Sequence, residues 1–114
     1  MKYGTRKEGN VLVFDLKGDL VGGPDTYEIK DAVKEQLDRG ERKFLLNLNG
    51  VGYVNSTGVG IIVSVYSSVT GAGGQLKLSN ANDKVARLMM VTKLLEVFDS
   101  FDNEAEALRA FETS

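Results

Sequence analysis

The feature that most constrains the fold is a short, nearly continuous apolar run at residues 44–48, FLLNL. A strand with apolar residues on both faces needs cover on both faces, which is typical of a parallel sheet lying between helices. Upstream of the run, Ile29, Val33 and Leu37 recur every four residues and predict an amphipathic helix. A buried strand next to an amphipathic helix indicates an α/β fold.

The other segments extend this alternation of strands and helices along the chain. Pro24 and Gly40 bracket the first helix, because proline suits a first helical position and glycine suits the residue after a helix. Asn82 or Asn80 can cap the third helix, and Asn103 can cap the last. We expect a single domain over residues 1–114, with a mixed, mostly parallel sheet of about four or five strands and about four helices. The predicted strands are 3–7, 11–17, 44–48, 75–79 and 97–101, and the predicted helices are 26–39, 59–70, 83–95 and one beginning near 103.

The segment 59–70 fits two kinds of secondary structure. It is rich in β-branched residues, which favour strands, and the preceding Asn49-Gly50 pair is a common hairpin turn. Its length and the i, i+3, i+4, i+7 spacing of apolar residues from Ile62 to Val69 are typical of a helix. The spacing therefore predicts a buried helix, and the composition leaves a strand as the alternative.

Composition argues against several classes of function. The formal net charge of −2 and the scattered lysines and arginines give no basic surface for a nucleic acid. The sequence contains no cysteine for a disulfide or a thiolate metal site, and no histidine to act as a general base or metal ligand. We therefore expect no metal and no cofactor. No apolar run approaches the ~18 residues of a membrane span, and residues 1–8 lack the apolar core of a signal peptide, so a cytoplasmic location is expected.

Residues 55–58, Asn-Ser-Thr-Gly, follow the apolar run and are the candidate functional site. A phosphate-binding loop would need a lysine after the glycines, and a dinucleotide fingerprint would need glycine where Asn55 stands. A serine nucleophile would need glycine two positions before it, where Val54 stands before Ser56, and a base to deprotonate it. A Ser–Lys pair is not excluded, but the pattern marks no lysine for it. Spacing alone favours Asn55 or Ser56 as a helix N-cap.

A serine in the first turn of a helix is also a favourable place for a phosphate. The unpaired backbone N–H groups and the positive end of the helix dipole stabilise an anion there. Phosphorylation would add about −1.5 to −2 charge at neutral pH. An exposed Ser56 could thus switch binding of a partner without unfolding its own domain.

From Val11 to Phe111 the chain resembles a STAS domain of the bacterial anti-sigma factor antagonist type. The resemblance is carried by FDLKGDL at 14–20, by RKFLLNLNGVGYVNSTGVGIIVSVY at 42–66 and by GGQLKLSNANDKVARLMMVTKLLEVFDSFDNEAEAL at 73–108. The central segment is similar to the family pattern of a strand, the motif D-S-S/T-G and a helix. The resemblance implies that residues 57–70 form a helix and that Asn49-Gly50 ends a strand.

The resemblance also implies a protein-binding switch. In this family the unphosphorylated domain binds an anti-sigma factor that is also a serine kinase, which frees the sigma factor. Carried over by position, Ser56 is the phosphoacceptor, with Thr57 as the second candidate, and a PP2C-type phosphatase removes the phosphate. Asn55 departs from the pattern, since the family has an acidic residue there. The departure leaves open a non-phosphorylated STAS subunit of a transporter or of a stress-sensing complex.

The apolar residues of 83–95 exceed what one buried stripe uses and predict a docking surface beside Ser56. A second interpretation is that they cover the underside of the next strand. A phosphate would be desolvated in such an interface without a basic partner, and a penalty of even ~3 kcal/mol lowers affinity on the order of a hundredfold. The predicted partner-binding residues are Val54, Asn55, Ser56, Thr57, Gly58, Met89, Met90 and Leu94.

Overall fold

The computed structural model describes residues 2–91, 93 and 98–112, which form one five-stranded mixed sheet and four helices. The elements are β1 Lys2–Glu8, β2 Val11–Lys17, α1 Pro24–Asp38, β3 Lys43–Gly50, α2 Ser56–Gly71, β4 Gln75–Ser79, α3 Asp83–Val91, β5 Asp99–Phe101 and α4 Glu104–Glu112. The strands lie in sequence order across the sheet, with β1 antiparallel to β2 and every later pair parallel. The predicted α/β class and element order are confirmed.

Helices α1, α2 and α3 cover one face of the sheet, and α4 covers the other. In β3, Phe44 and Leu46 belong to the core beneath the first three helices, whereas Leu45 faces Phe111 and its neighbours in α4. Phe14 of β2 points to the larger core in the same alternation. The apolar run is therefore buried on both faces, as its composition predicts.

The ambiguous central segment forms a helix, α2, and Gly50 is the last residue of a strand. The buried side of α2 includes Ile62, Val65 and Val69, at the spacing that predicts a helix. Its buried β-branched residues pack in the core, so tertiary contacts override their preference for strands. Neither α2 nor any other helix of the described residues combines the length and apolar character that crossing a membrane requires.

Two predicted elements are shorter in the structure. The helix predicted over 83–95 ends at Val91, and Lys93 has a φ of 61°, which no α-helix accommodates. The strand predicted over 97–101 begins at Asp99, because Phe98 turns into the core with 2% of its surface exposed. Residues 92 and 94–97 lie outside the described part of the chain, so the predictions that fall on them stay predictions.

A cluster of charged side chains joins the first strand to the last helix. Arg6 in β1 donates to Asp15 in β2 at 2.7 and 3.0 Å and also binds Glu104 in the first turn of α4. Glu104 accepts a further hydrogen bond from Asn47 in β3 at 3.1 Å. The hydrogen bond from Arg6 is the main cause that holds the pKa of Glu104 below its ordinary value. Three strands are thereby tied to α4.

Glu104→Gln should lower the free energy of unfolding at neutral pH by about 1 kcal/mol, since Arg6 loses a charged partner. The folded state lowers the pKa of Glu104, so the contribution of its charge is full above the ordinary value of 4.5 and is lost as the pH falls through the lowered folded value. Urea unfolding of wild type and variant should show a constant difference from pH 7 down to about pH 4.5 and a shrinking difference below it.

The matched control for this prediction is Glu106→Gln. Glu106 also lies in the first turn of α4 but is exposed and forms no ion pair with another described residue. A Glu104→Gln difference that stayed constant through the acid range would contradict the assigned role of the Arg6 pair.

Candidate functional site

The predicted site lies at the carboxyl end of the parallel strands, where ligand sites of α/β sheets commonly form. The segment after β3 is fixed to the segment after β2 by an isolated parallel bridge between Leu20 and Val54. Leu20 donates its N–H to the Tyr53 carbonyl at 2.9 Å, and Asn55 donates its N–H to the Leu20 carbonyl at 3.1 Å. The residues before α2 are therefore held by backbone hydrogen bonds.

Asn55 is the N-cap of α2. Of the two residues that the sequence offers as caps, Asn55 and Ser56, Asn55 is therefore the one that acts. Its Oδ1 accepts a hydrogen bond from the Gly58 N–H at 2.9 Å, and its Nδ2 donates to the Val21 carbonyl at 3.1 Å. A carboxylate at this position would retain the first bond and lose the second, since it has no donor. Asparagine thus fixes the helix start to the loop after β2, and the hydroxyl of Ser56 is left free of the capping role.

The two glycines of the first turns of α2 have opposite surroundings. A Cβ at Gly58 would overlap the carbonyl oxygen of Leu20, so only glycine allows this approach of helix and loop. A Cβ at Gly60 would meet nothing within 4 Å. Gly58 therefore supports the fold, while Gly60 leaves an open surface one turn after Ser56.

Ser56 is the first residue of α2, and its side chain is exposed, as is that of Thr57. Ser56 lies at the edge of a groove of about 560 Å³ between the end of the β3–α2 connection and α3. Tyr53, with 52% of its surface exposed, and Val91, with 75%, give the groove an apolar rim. The lining residues are Tyr53, Val54, Asn55, Ser56, Lys84, Arg87, Leu88 and Val91.

Asn82 holds the two walls of this groove together. Its Oδ1 caps α3 by accepting from the Val85 N–H at 2.8 Å, and its Nδ2 donates to the carbonyls of Val51 and Gly52 at 3.1 and 3.2 Å. Of the two predicted capping candidates for α3, Asn82 is therefore the one that acts. The start of α3 is fixed to the segment that carries Ser56.

Lys84 and Arg87 are groove residues that the sequence analysis missed. They lie on one face of α3 together with Leu88 and Val91, at the spacing i, i+3, i+4, i+7. That spacing could have shown that the four residues share one face of the helix. A search for apolar residues at helical spacing misses the face, because two of its four residues are cations. The structure therefore brings two basic residues into the groove that Ser56 lines, which the expectation of a phosphate without a basic partner did not include.

The structure also corrects the predicted docking residues. Val54 and Met89 have 3% and 1% of their surfaces exposed, and Gly58 is buried beneath Leu20. Met89 and Gly58 therefore present no surface to a partner, and Val54 contributes only a small part of the groove wall. Met89 instead packs in the core. Met90 is 65% exposed. Leu94 lies outside the described residues.

The arrangement suits binding better than catalysis. A lysine that activates a serine is usually buried, whereas Lys84 is exposed and forms no hydrogen bond to Ser56 within the described part of the chain. A cap, a fixed backbone and an exposed hydroxyl beside a partly apolar groove form a surface that another protein can contact.

Comparison with known proteins agrees with the resemblance found in the sequence. Residues 3–107 match the STAS domain family. The chain is 27% identical to an anti-sigma F factor antagonist of Paenibacillus polymyxa, over 90% of this chain and 87% of the relative. It is 30% identical to an anti-sigma-B factor antagonist of Bacillus subtilis, over 75% of this chain and 80% of the relative.

Solved structures show the same fold. A candidate anti-sigma factor antagonist from Thermotoga maritima superimposes with a TM-score of 0.87 at 25% identity, covering 95% of this chain and 92% of that one. The Bacillus protein SpoIIAA in its phosphorylated form superimposes with a TM-score of 0.74 at 16% identity, covering 96% and 99%.

Gly58→Ala and Gly60→Ala should shift stability in opposite directions. The Gly58→Ala methyl would overlap the Leu20 carbonyl and should lower the free energy of unfolding by about 1–3 kcal/mol. The Gly60→Ala methyl points into open space and should raise it by about 0.5–1 kcal/mol, since alanine favours a helix. Urea unfolding measures both, and a neutral Gly58→Ala would contradict the close approach.

Proposed function

This chain belongs to the STAS domain family, and we propose that it is an anti-sigma factor antagonist regulated by phosphorylation. Its unphosphorylated form binds an anti-sigma factor that has serine kinase activity, and the sigma factor held by that protein is released. The observation that carries the proposal is the exposed Ser56 at the edge of a groove whose walls are fixed. The curated relatives named as anti-sigma factor antagonists support the choice of partner.

The proposed docking surface consists of residues on both sides of the groove, all of them exposed except the half-buried Leu88. Tyr53 and Ser56 lie on one side, and Leu88 and Val91 lie on the other. Met90, 65% exposed, extends the apolar part along α3. Aromatic and methionine side chains around a groove are typical of protein interfaces, and an exposed patch of this kind marks an interaction site.

Phosphorylation then switches the docking surface off. The kinase transfers the terminal phosphoryl group of ATP to Oγ of Ser56: the Oγ–P bond forms, the bond from phosphorus to the ADP oxygen breaks, and the hydroxyl proton is released. The modified side chain brings about −1.5 to −2 charge into the contact area. The partner must desolvate that charge to dock, and a PP2C-type phosphatase hydrolyses the ester to restore binding.

Asn55 does not argue against this switch. The amide both caps α2 and binds the Val21 carbonyl, so its visible role is to position the residues around Ser56. That role needs no charge. The second candidate function is a constitutive STAS subunit of a transporter or stress-sensing complex. It is suggested by Asn55, which stands where the family pattern has an acidic residue. It expects Ser56 to carry no phosphate in cells and a charge at position 56 to leave binding unchanged.

Ser56→Ala should bind the anti-sigma factor about as tightly as wild type, and Ser56→Asp should bind at least about tenfold more weakly, because a charge then stands in the contact area. Isothermal titration calorimetry with a kinase-type anti-sigma factor of the same genome measures both. Ser56→Asp should melt no lower than wild type, since an acidic first turn suits a helix.

The control for the charge is Ser67→Asp, which places the same group on an exposed serine of α2 three turns further on. It should bind like wild type. Equal binding by Ser56→Asp and Ser67→Asp would refute the electrostatic switch and favour the constitutive subunit.

Gly60→Gln should block docking without harming the fold. Position 60 is exposed, has room for a side chain and lies one turn after Ser56, so a glutamine there projects into the proposed interface. Affinity for the anti-sigma factor should fall by about tenfold or more while the melting temperature stays level or rises. The control is Gly71→Gln at the other end of α2, where a side chain also meets nothing within 4 Å. Wild-type affinity for Gly60→Gln would place the interface elsewhere.

A further inference from the structure

The groove beside Ser56 is lined by positive charges, although the protein as a whole has a negative net charge. The sequence has a formal net charge of −2, yet the charged residues that line the groove are Lys84 and Arg87. No carboxylate of a described residue lines it. Asp83 is exposed in the first turn of α3, and Asp19 lies beside Gly52, but neither of these carboxylates lines the groove.

We infer that Lys84 and Arg87 hold the phosphate of phosphorylated Ser56 across the groove. The inference rests on the proposed phosphorylation of Ser56. Arginine binds two phosphate oxygens through its planar guanidinium, and lysine adds a compact point charge. The two cations balance the dianion that a phosphoserine carries at neutral pH.

Both side chains are available for this role. Lys84 and Arg87 are exposed, and neither forms an ion pair or a side-chain hydrogen bond with another described residue. Arg6 and Arg39, in contrast, are bound to carboxylates. Pairing with a phosphate therefore breaks no ion pair or side-chain hydrogen bond to another described residue, and it requires the ordering of two long side chains.

The backbone around the groove needs no rearrangement to form this contact. Asn55 fixes the start of α2, and Asn82 fixes the start of α3 to the same connection. The phosphate thus forms on one fixed wall, and the cations reach it from the other. A groove with a charge of +2 becomes neutral and partly filled, which removes the cations and the open volume from the surface that a partner would contact.

The contact can be tested without any partner protein. Phosphoserine is incorporated at position 56 during translation, and the second pKa of its phosphate is measured by 31P NMR titration. Nearby cations favour the dianion, so this pKa should lie below its ordinary value near 6 in wild type. In Lys84→Gln/Arg87→Gln it should rise by about 0.5 of a unit or more. Each single variant should give a smaller rise.

Lys30→Gln/Lys34→Gln is the matched control. It removes the same total charge from a different groove, between α1 and α2, and should leave the phosphate pKa at the wild-type value to within about 0.1 of a unit. Equal rises in the two double variants would show general electrostatics instead of a contact. No rise in either would overturn the inference.

The result is separable from the proposed function. A phosphate pKa that depends on Lys84 and Arg87 establishes the contact even where the anti-sigma factor fails to bind. Binding of the anti-sigma factor with an unchanged phosphate pKa would retain the switch and remove the contact. The two exposed glutamine substitutions should leave the melting temperature of the unphosphorylated protein unchanged, and the two single variants give the answer if the double variant melts early.

Discussion

The close approach of the Leu20 carbonyl to Gly58 is the contact on which the site depends. It is accompanied by the hydrogen bonds that Leu20 forms with Tyr53 and Asn55, so the connection after β2 and the start of α2 form one rigid unit. The exposed hydroxyl of Ser56 owes its fixed position to this unit. A rigid platform is what lets a local change of charge be sensed by a partner without a change of shape.

Much of the fold follows from local sequence patterns. The burial of β3 on both faces was predictable from its apolar run, and the N-cap role of Asn103 from its residue type. These features depend on neighbours in sequence. The resemblance to the STAS family decided the remaining choice, between helix and strand for α2, which residue composition left open.

What sequence could not supply depends on contacts between distant segments. Met89 and Met90 are adjacent and chemically alike, yet one is in the core and the other is 65% exposed, because the position of α3 on the sheet decides it. Lys84 likewise lines the same groove as Ser56 because Asn82, two residues before it, binds carbonyls about 30 residues away in sequence.

The bond between Arg6 and Glu104 spans 98 residues of sequence. A ribosome makes the hairpin of β1 and β2 first, and the apolar face formed by Val11, Val13 and Leu45 stays uncovered until α4 emerges. Nascent chains that lack α4 therefore expose an apolar face of the sheet, and their Arg6 lacks the carboxylate of Glu104. Synthesis of α4 supplies the missing cover and the missing charge in one step, so slow translation before α4 would produce aggregation-prone intermediates.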